Sequence, residues 1–264
     1  MSYLTDVVLG VIEGITEFLP ISSTGHLLVA EHWLGARSDT YNIVIQAGAI
    51  LAVTFIYWRR IVDLFANWRV AANRDYLIKL MIAFGITAVL GLIVKKLGFE
   101  LPTTIQPVAW ALVLGGFWML LAEWLAARQD DRVTITLRVA IAVGLAQVVA
   151  GVFPGTSRSA ATIFVAMLLG TSNRAAATEF AFLVGIPTMY AASGYELLKQ
   201  VRGGGLDESW TSLGIAFAVS TITAFLAVKW LLGYIRTHRF TVFAIYRIGF
   251  GGVLLGLAAA GVIV

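Results

Sequence analysis

The stretch "GVIEGITEFLPISSTGHLLVAEHWLG" (10–35) is apolar along most of its length, but Pro20 and a run of hydroxyl side chains interrupt it at its centre. Proline removes a backbone donor and disfavours helix at the residue before it. The stretch therefore predicts two short helices, over about 4–19 and 22–35. Each is shorter than the ~20 apolar residues that a spanning helix needs. Together they predict a hairpin that enters a membrane and turns back inside it.

The composition supports a membrane protein. Charged residues make up 13% of the 264 residues and hydrophobic residues 59%, whereas a soluble domain carries about 25% charged residues. The apolar runs are far longer than the ~9–11 residues of a membrane β-strand, so an all-α integral membrane protein is predicted. The absence of cysteine excludes disulfides and thiolate metal sites. The net charge of +4 includes no basic run longer than two residues, which predicts membrane topology and no nucleic-acid partner.

The apolar pattern predicts ten helices in all. A second broken pair, 135–152 with 156–170, is interrupted at Pro154 in "VFPGTSRSA" (152–160). Six further segments are long enough to cross the membrane: about 41–58, 76–97, 105–127, 174–198, 210–235 and 240–263. Irregular backbone inside a membrane survives only where protein or a wet cavity covers it, so both breaks are expected to face a cavity.

The two halves of the chain repeat. Adding 134 to the residue number takes Gly10 to Gly144, Glu13 to Gln147 and Pro20 to Pro154. We predict one membrane domain over 1–264, with repeat one at about 1–130 (hairpin 4–35) and repeat two at about 134–264 (hairpin 135–170). Each repeat has a hairpin and three spans, and an odd number inverts the second repeat. Arginine-rich loops on one side place that side in the cytoplasm, and the hairpin tips should meet near the midplane.

Glu13 and Glu17 are four residues apart, so one helix face carries both carboxylates. On translocon scales an acidic residue at the centre of a membrane helix costs about 2.5–3.5 kcal/mol. This cost requires a compensating cation, a proton or an arginine partner. The alternative is an interfacial helix whose carboxylates only touch water. We predict that both residues hold a metal ion and that Glu17 also acts in catalysis.

Three hydroxyls and one imidazole follow the first break, from Ser22, Ser23, Thr24 and His26. Ser22 or Ser23 is the expected N-cap of the second helix, and the N-terminus of that helix attracts an anion. The alternative role for the hydroxyls is capping and bonding back to carbonyls, and for His26 it is packing. Beside two carboxylates, the imidazole favours an acid–base or nucleophilic role.

The second break carries the opposite charge. Arg158 presents a planar fork that suits phosphate, and it is predicted to be catalytic. The alternative is a purely structural ion pair with Glu13 or Glu17. Gly155 permits close approach of a ligand to the backbone. The other residues predicted to bind substrate here each carry a hydroxyl donor: Thr156, Ser157, Ser159 and Thr162.

These groups together predict a site for a lipid-borne phosphate. Mg²⁺ typically takes one or two carboxylates plus substrate phosphates, so a divalent cation, Mg²⁺ or Ca²⁺, is expected. A metal on a diphosphate, with an arginine on the transferred group, is the recurring arrangement of phosphoryl transfer. The rival function is a membrane transporter or flippase for an anionic lipid or small anion, because broken helices in inverted repeats are typical of secondary transporters.

The blocks "EGITEFLPISSTGH" (13–26) and "PGTSRSAAT" (154–162) resemble the two signature blocks of the undecaprenyl-diphosphate phosphatase family, also known as the bacitracin-resistance proteins. The likeness covers essentially the whole chain, including "AGAILAV" (47–53) and the Tyr246–Arg247 pair. It implies hydrolysis of the C55 polyprenyl diphosphate, which recycles the lipid carrier for peptidoglycan and removes the lipid that bacitracin binds. It also implies dependence on a divalent metal. The family's functional blocks map onto Glu13 and Glu17, onto Ser22, Ser23, Thr24 and His26, and onto Ser157, Arg158 and Thr162.

Several expectations concern the reaction and its setting. The attacking group is Ser23, His26 or a water, and we favour His26 as the base with Ser23 as the nucleophile. Arg247 is expected to pair with Glu179 or to approach the lipid phosphate. A homodimer is expected from the resemblance and from the small residues of "GFGGVLLG" (249–256). The protein is expected in the bacterial inner membrane, among membrane lipids, with its active site opening towards the periplasm.

Overall fold

The computed structural model of the chain describes residues 3–98, 104–203 and 208–263. Residues 1, 2, 99–103, 204–207 and 264, which the predicted repeats include, lie outside the described residues. Eleven helices follow one another in the described part: α1 Tyr3–Thr16, α2 Ser23–Leu34, α3 Asp39–Ile56, α4 Trp58–Ala66, α5 Ala71–Lys96, α6 Ile105–Ala126, α7 Leu137–Val152, α8 Arg158–Leu168, α9 Arg174–Gly203, α10 Trp210–Tyr234 and α11 Thr241–Ala259.

Six of these helices are long and apolar enough to cross a membrane: α3, α5, α6, α9, α10 and α11. They coincide with the six spans predicted from the sequence, so the prediction of an all-α integral membrane protein is confirmed. The four shorter predicted helices are also present, as α1 with α2 and α7 with α8. The first hairpin breaks over 17–22 and the second over 153–157.

The described part of the chain contains one helix more than the about ten predicted, because the short helix α4 lies between the predicted spans 41–58 and 76–97. This helix has nine residues and therefore lacks the long apolar run by which spans are recognised. Trp58, Val62 and Phe65 are exposed on it, whereas Leu64 is buried in the core. An amphipathic pattern over so few residues gives a weak sequence signal.

The helix contacts follow the predicted repeat. α1 packs on α10, its counterpart α7 packs on α5, and α6 and α11 pack on each other. A methyl group at Gly116 of α6 would lie 2.8 Å from the carbonyl oxygen of Ala244, and one at Gly251 of α11 would lie 2.8 Å from that of Ala109. In this contact a glycine of α6 packs on the backbone of α11, and a glycine of α11 packs on the backbone of α6. Such an exchange is expected when α6 and α11 are equivalent helices of two inverted repeats. The repeat boundaries near 130 and 134 stay a prediction.

The two hairpin tips meet inside the molecule. The Ser159 hydroxyl of the second tip donates a hydrogen bond of 3.1 Å to the Leu19 carbonyl of the first. Phe18 and Leu19 belong to the same buried apolar cluster as Ala160 and Ile163. The two chain breaks, which are far apart in the sequence, therefore converge as expected.

Candidate active site

Each tip contains a serine with an unusual backbone conformation directly before its second helix. Ser22 has φ 72° and ψ 100°, and Ser157 has φ 67° and ψ 112°. They are the non-glycine residues with positive φ in the described chain. Such conformations cost on the order of 1–3 kcal/mol each and cluster at functional sites. They make Ser23 and Arg158 the first residues of α2 and α8.

The two serines use their side chains differently. Ser157 caps α8, because its hydroxyl accepts a hydrogen bond of 3.3 Å from the Ala160 amide. Ser22 occupies the N-cap position of α2, but its side chain makes no capping bond. The N-terminus of α2 therefore keeps donors for a ligand, which is the arrangement that favours an anion.

Arg247 of α11 supports both tips from behind. Its side chain is fully buried and donates to the carbonyl oxygens of Gly155 at 3.0 Å, Thr156 at 2.9 Å and Pro20 at 3.5 Å. It also donates to carbonyls of Ala111 and Leu112 in α6. The broken helices leave carbonyls without helical donors, and the guanidinium supplies them.

The expected pairing of Arg247 with Glu179 was therefore wrong. Glu179 instead accepts a hydrogen bond of 3.1 Å from Arg60. The guanidinium has five N–H donors, and the carbonyls of the two helix breaks can accept several of them, whereas a single carboxylate would accept fewer. Sequence spacing gave no indication of this, because the partners lie far from Arg247 along the chain.

Replacing Arg247 by Met is expected to destabilise the fold by about 3 kcal/mol or more, because several buried carbonyls lose their donor. A loss of this size corresponds to a fall in melting temperature of roughly 6–12 °C for a chain of this length. Thermal unfolding in detergent measures it, and Arg247→Lys should fall between Met and the wild type. An unchanged melting temperature for Arg247→Met would contradict the supporting role.

Glu17 joins the two tips chemically. Its Oε2 accepts a hydrogen bond of 2.5 Å from the Ser23 hydroxyl, and its Oε1 accepts one of 2.6 Å from Arg158. Gln46 of α3 approaches the same Oε1 at 3.4 Å. One buried carboxylate thus bridges a hydroxyl of one tip and the guanidinium of the other, and hydrogen bonds of this charged kind are short and strong.

Glu13 lies beside Glu17. The Glu17 amide donates to the Glu13 carbonyl at 2.9 Å, so the two residues keep the spacing of one helical turn although α1 has ended. Glu13 is 2% exposed, and its Oε2 has no hydrogen-bond partner among the described residues. A hard cation takes oxygen ligands of this kind. The described residues include no group of three or more histidine, cysteine or acidic side chains placed for a metal, so phosphate oxygens would have to complete the coordination.

A cavity of about 560 Å³ opens in front of Glu17. Its polar part includes Glu17, Ser23, Thr24 and Arg158, with Ser22, Gly155 and Ser157 from the same tips. Its apolar wall comes from α5 and α7: Phe84, Ala88, Leu92, Val148 and Val152. At one end, Lys95 of α5 and Glu196 of α9 form an ion pair of 2.5 Å. The cavity therefore offers a charged part and an apolar part side by side.

Three residues predicted to bind substrate, Thr156, Ser159 and Thr162, are not part of the lining of this cavity. The Ser159 hydroxyl faces Leu19, and Thr162 donates to the Arg158 carbonyl at 2.8 Å. The carbonyl of Thr156 is held by Arg247. The Ser159 hydroxyl thus joins the two tips, and the Thr162 hydroxyl bonds back to a carbonyl of its own helix, as hydroxyls often do in membrane helices.

The His26 side chain does not bond to the Ser23 hydroxyl. Its Nδ1 is 2.7 Å from the Ser22 carbonyl oxygen, and its Nε2 is 2.7 Å from the Tyr246 hydroxyl. Because α2 begins at Ser23, the imidazole reaches back one turn to the backbone of Ser22 and not to the Ser23 hydroxyl. The expected pairing of Ser23 with His26 is therefore absent from the described structure, and Glu17 takes that place.

Sequence reasoning missed several residues of the site. Gln46 contacts Glu17, and Tyr246 contacts His26. Gln147 lines the cavity, donates to Thr87 at 3.1 Å, and leaves its Oε1 without a partner in the described chain. The repeat offered one signal, because Gln147 is the counterpart of Glu13. Gln46 had no such signal, since its importance depends on a contact across the fold. Tyr246 was marked only as part of the Tyr246–Arg247 pair in the family resemblance, without a partner or a role.

Comparisons with known proteins agree with this geometry. The model of the family "Bacitracin resistance protein BacA" matches residues 6–253. The chain is 71% identical over 264 residues to a protein from Rhizobium johnstonii named undecaprenyl-diphosphatase, with 100% of both chains covered. It is 61% identical over 253 residues, 96% of each chain, to a protein of the same name from Xanthomonas euvesicatoria pv. vesicatoria.

Proposed function

Because the chain belongs to the bacitracin resistance protein BacA family, we propose that the site at its hairpin tips hydrolyses undecaprenyl diphosphate to undecaprenyl phosphate and inorganic phosphate. This reaction recycles the lipid carrier of cell-wall synthesis and underlies bacitracin resistance. The observation that carries the assignment of the site is the position of Glu17, which contacts Ser23 and Arg158 within one cavity. A phosphatase needs a nucleophile, a proton acceptor and a positively charged side chain for the phosphate close to one another, and Ser23, Glu17 and Arg158 are such a set.

The cavity separates the two parts of the substrate. Arg158 and the N-termini of α2 and α8 bind the phosphates, because guanidinium groups and helix N-termini both favour oxyanions. The first isoprene units lie against the apolar wall that Ala88 and Leu92 of α5 form with Val148 of α7. Apolar contact of this kind contributes about 25 cal/mol per Å² buried.

Ser23 is the proposed nucleophile, and Glu17 is its base. The Ser23 oxygen bonds to the terminal phosphorus while its proton passes to Glu17, 2.5 Å away. The bond from that phosphorus to the bridging oxygen breaks, and its electron pair leaves with the lipid monophosphate. Water then attacks the phosphorus of the phosphoserine, and the bond from phosphorus to the Ser23 oxygen breaks. The Ser23 oxygen takes back the proton held by Glu17, and inorganic phosphate leaves with both protons of the water. Arg158, beside Glu17 at 2.6 Å, stabilises the charge on the transferred phosphoryl group.

Glu13 and Glu17 are the proposed ligands of a divalent cation, Mg²⁺ or Ca²⁺. The unpartnered Oε2 of Glu13 and the oxygen-only donor set support this choice. When bound, such a cation would neutralise charge on the phosphate oxygens.

Glu13→Gln is expected to raise the metal concentration needed for half-maximal activity by about 10- to 100-fold, because a ligand charge is lost next to the site. Titration of metal-depleted enzyme with Mg²⁺ or Ca²⁺ measures the change. Glu179→Gln, which alters a carboxylate paired with Arg60, serves as the control and should leave the titration unchanged. An unaltered titration for Glu13→Gln would remove this residue from the metal site.

We further propose that the cavity opens to the periplasm and that the protein forms a homodimer in the bacterial inner membrane. Lys95 and Glu196, at one end of the cavity, lie near the C-terminal ends of α5 and α9. In the predicted topology these ends face outwards. Labelling of Lys95 by a membrane-impermeant amine reagent in intact cells tests the orientation, and cross-linking in native membranes tests the dimer.

The function itself is tested with purified protein in detergent. Without any membrane gradient, the protein should release phosphate from undecaprenyl diphosphate. A pure transporter or flippase would release none. Failure to release phosphate, with folded protein and added Mg²⁺ or Ca²⁺, would overturn the proposal.

A further inference from the structure

We infer that His26 and Tyr246 position Ser23 by holding the strained turn at Ser22, and that His26 is not the base of the reaction. This inference rests on the proposed function and assigns roles within its site. It concerns a chain of contacts that begins on α11, passes through the imidazole and ends at the backbone just before the nucleophile.

The hydrogen-bonding groups determine which ring nitrogen carries a proton. The Ser22 carbonyl can only accept, so Nδ1 of His26, 2.7 Å away, carries the hydrogen. In the neutral ring Nε2 is then an acceptor, and the Tyr246 hydroxyl at 2.7 Å is its donor. Both nitrogens are thus engaged, and neither is bonded to the Ser23 hydroxyl, which donates to Glu17.

The ring is also fixed by stacking. The centroid of His26 lies 4.4 Å from that of Phe250 with an interplanar angle of 19°. The Tyr246 ring is nearly parallel to the imidazole, with centroids 5.7 Å apart and an angle of 7°. Offset stacking of this kind is favourable beyond the area it buries. The imidazole is therefore held in one orientation, as a positioning group requires.

The held carbonyl belongs to one of the two serines with positive φ, the one directly before the nucleophile. Ser22 has φ 72°, outside the favoured regions for a residue with a Cβ atom. Its conformation sets the direction in which the chain enters α2, and Ser23 is the next residue. If the turn relaxed, the Ser23 hydroxyl would move away from Glu17. Displacements of about 1 Å can cost about 100-fold in rate, so support of this turn is a kinetic requirement.

Three substitutions of His26 separate positioning from proton transfer. The Asn side-chain amide can occupy the place of Nδ1 and donate to the Ser22 carbonyl, whereas the longer Gln amide mimics Nε2. We expect His26→Asn to keep at least about one tenth of the wild-type kcat with KM within twofold, and His26→Gln and His26→Ala to keep about one hundredth or less. Melting temperatures in detergent show that each variant is folded.

The inference is overturned if His26→Asn is folded and as inactive as His26→Ala, because a base is then required at this position. It is also overturned if His26→Gln is as active as His26→Asn, since Nδ1 would then be irrelevant. An inactive wild-type protein would instead refute the proposed function, so the two failures are distinguishable.

Tyr246→Phe gives a second, milder test, because it removes the hydroxyl and keeps the ring stack. We expect kcat to fall about three- to tenfold with KM unchanged, as one hydrogen bond on His26 is lost. Tyr190→Phe is the matched control: its hydroxyl contacts Thr54 at 3.2 Å, away from the cavity. Equal turnover in the two Phe variants would overturn the role of Tyr246.

Discussion

Ser23→Ala is expected to lower kcat by about three orders of magnitude or more, the usual cost of removing the nucleophile of a covalent mechanism. The hydroxyl is 2.5 Å from Glu17, so it is the group for which proton removal is already arranged. Binding of the diphosphate should persist, because Arg158 and the helix N-termini are untouched. Single-turnover assays with labelled substrate measure the effect, and acid quenching of the wild type should trap the label on Ser23.

A matched control is available for this change. The Ser193 hydroxyl of α9 is buried and unpartnered in the described structure, and Ser193 is not part of the cavity lining. Ser193→Ala should therefore retain wild-type turnover. If Ser23→Ala retained more than about one tenth of the activity, direct attack by water would replace the covalent route.

Arg158→Lys is expected to lower kcat/KM by about 100- to 1000-fold, the range seen when one preorganised donor to a developing anion is lost. Lysine keeps the positive charge but offers a point charge in place of a planar fork, so it cannot hold Glu17 and a phosphate in the same geometry. Arg60→Lys is the matched control, because Arg60 makes a similar pair with Glu179 outside the active-site cavity. Turnover of Arg158→Lys within threefold of the wild type would make Arg158 a structural residue.

The sequence predicted those features that leave a local pattern. Six spans and two interrupted hairpins were predictable because apolar length and proline act on neighbouring residues. The meeting of Glu17 and Arg158, 141 positions apart, was predictable from charge, since neither is stable alone among lipids. The amphipathic α4 was missed because its pattern covers only nine residues, fewer than the roughly 11–18 over which a helical period is recognised.

The contacts of His26 and Arg247 could not be predicted in the same way. His26 is 220 positions from Tyr246. The two rings do not carry opposite charges, so a single sequence gives no reason to expect that they are in contact. The carbonyl partners of Arg247 belong to the backbone, which every residue possesses, so residue type gave no hint of them. Contacts that depend on side-chain type can be predicted from the sequence. Contacts between a side chain and backbone carbonyls can be recognised only when the fold is known.

The location of Arg247 in α11, far along the chain from the first hairpin, has a consequence for biosynthesis. The ribosome delivers the first hairpin long before α11, so the acidic tip must enter the bilayer before its supporting guanidinium has been made. The early chain therefore carries the Pro20 carbonyl without its later donor, Arg247, and Glu17 without its later partner, Arg158. Assembly of the site can finish only after α11 has been inserted, and a polypeptide truncated before α11 would leave the carbonyls of Pro20, Gly155 and Thr156 without the Arg247 guanidinium.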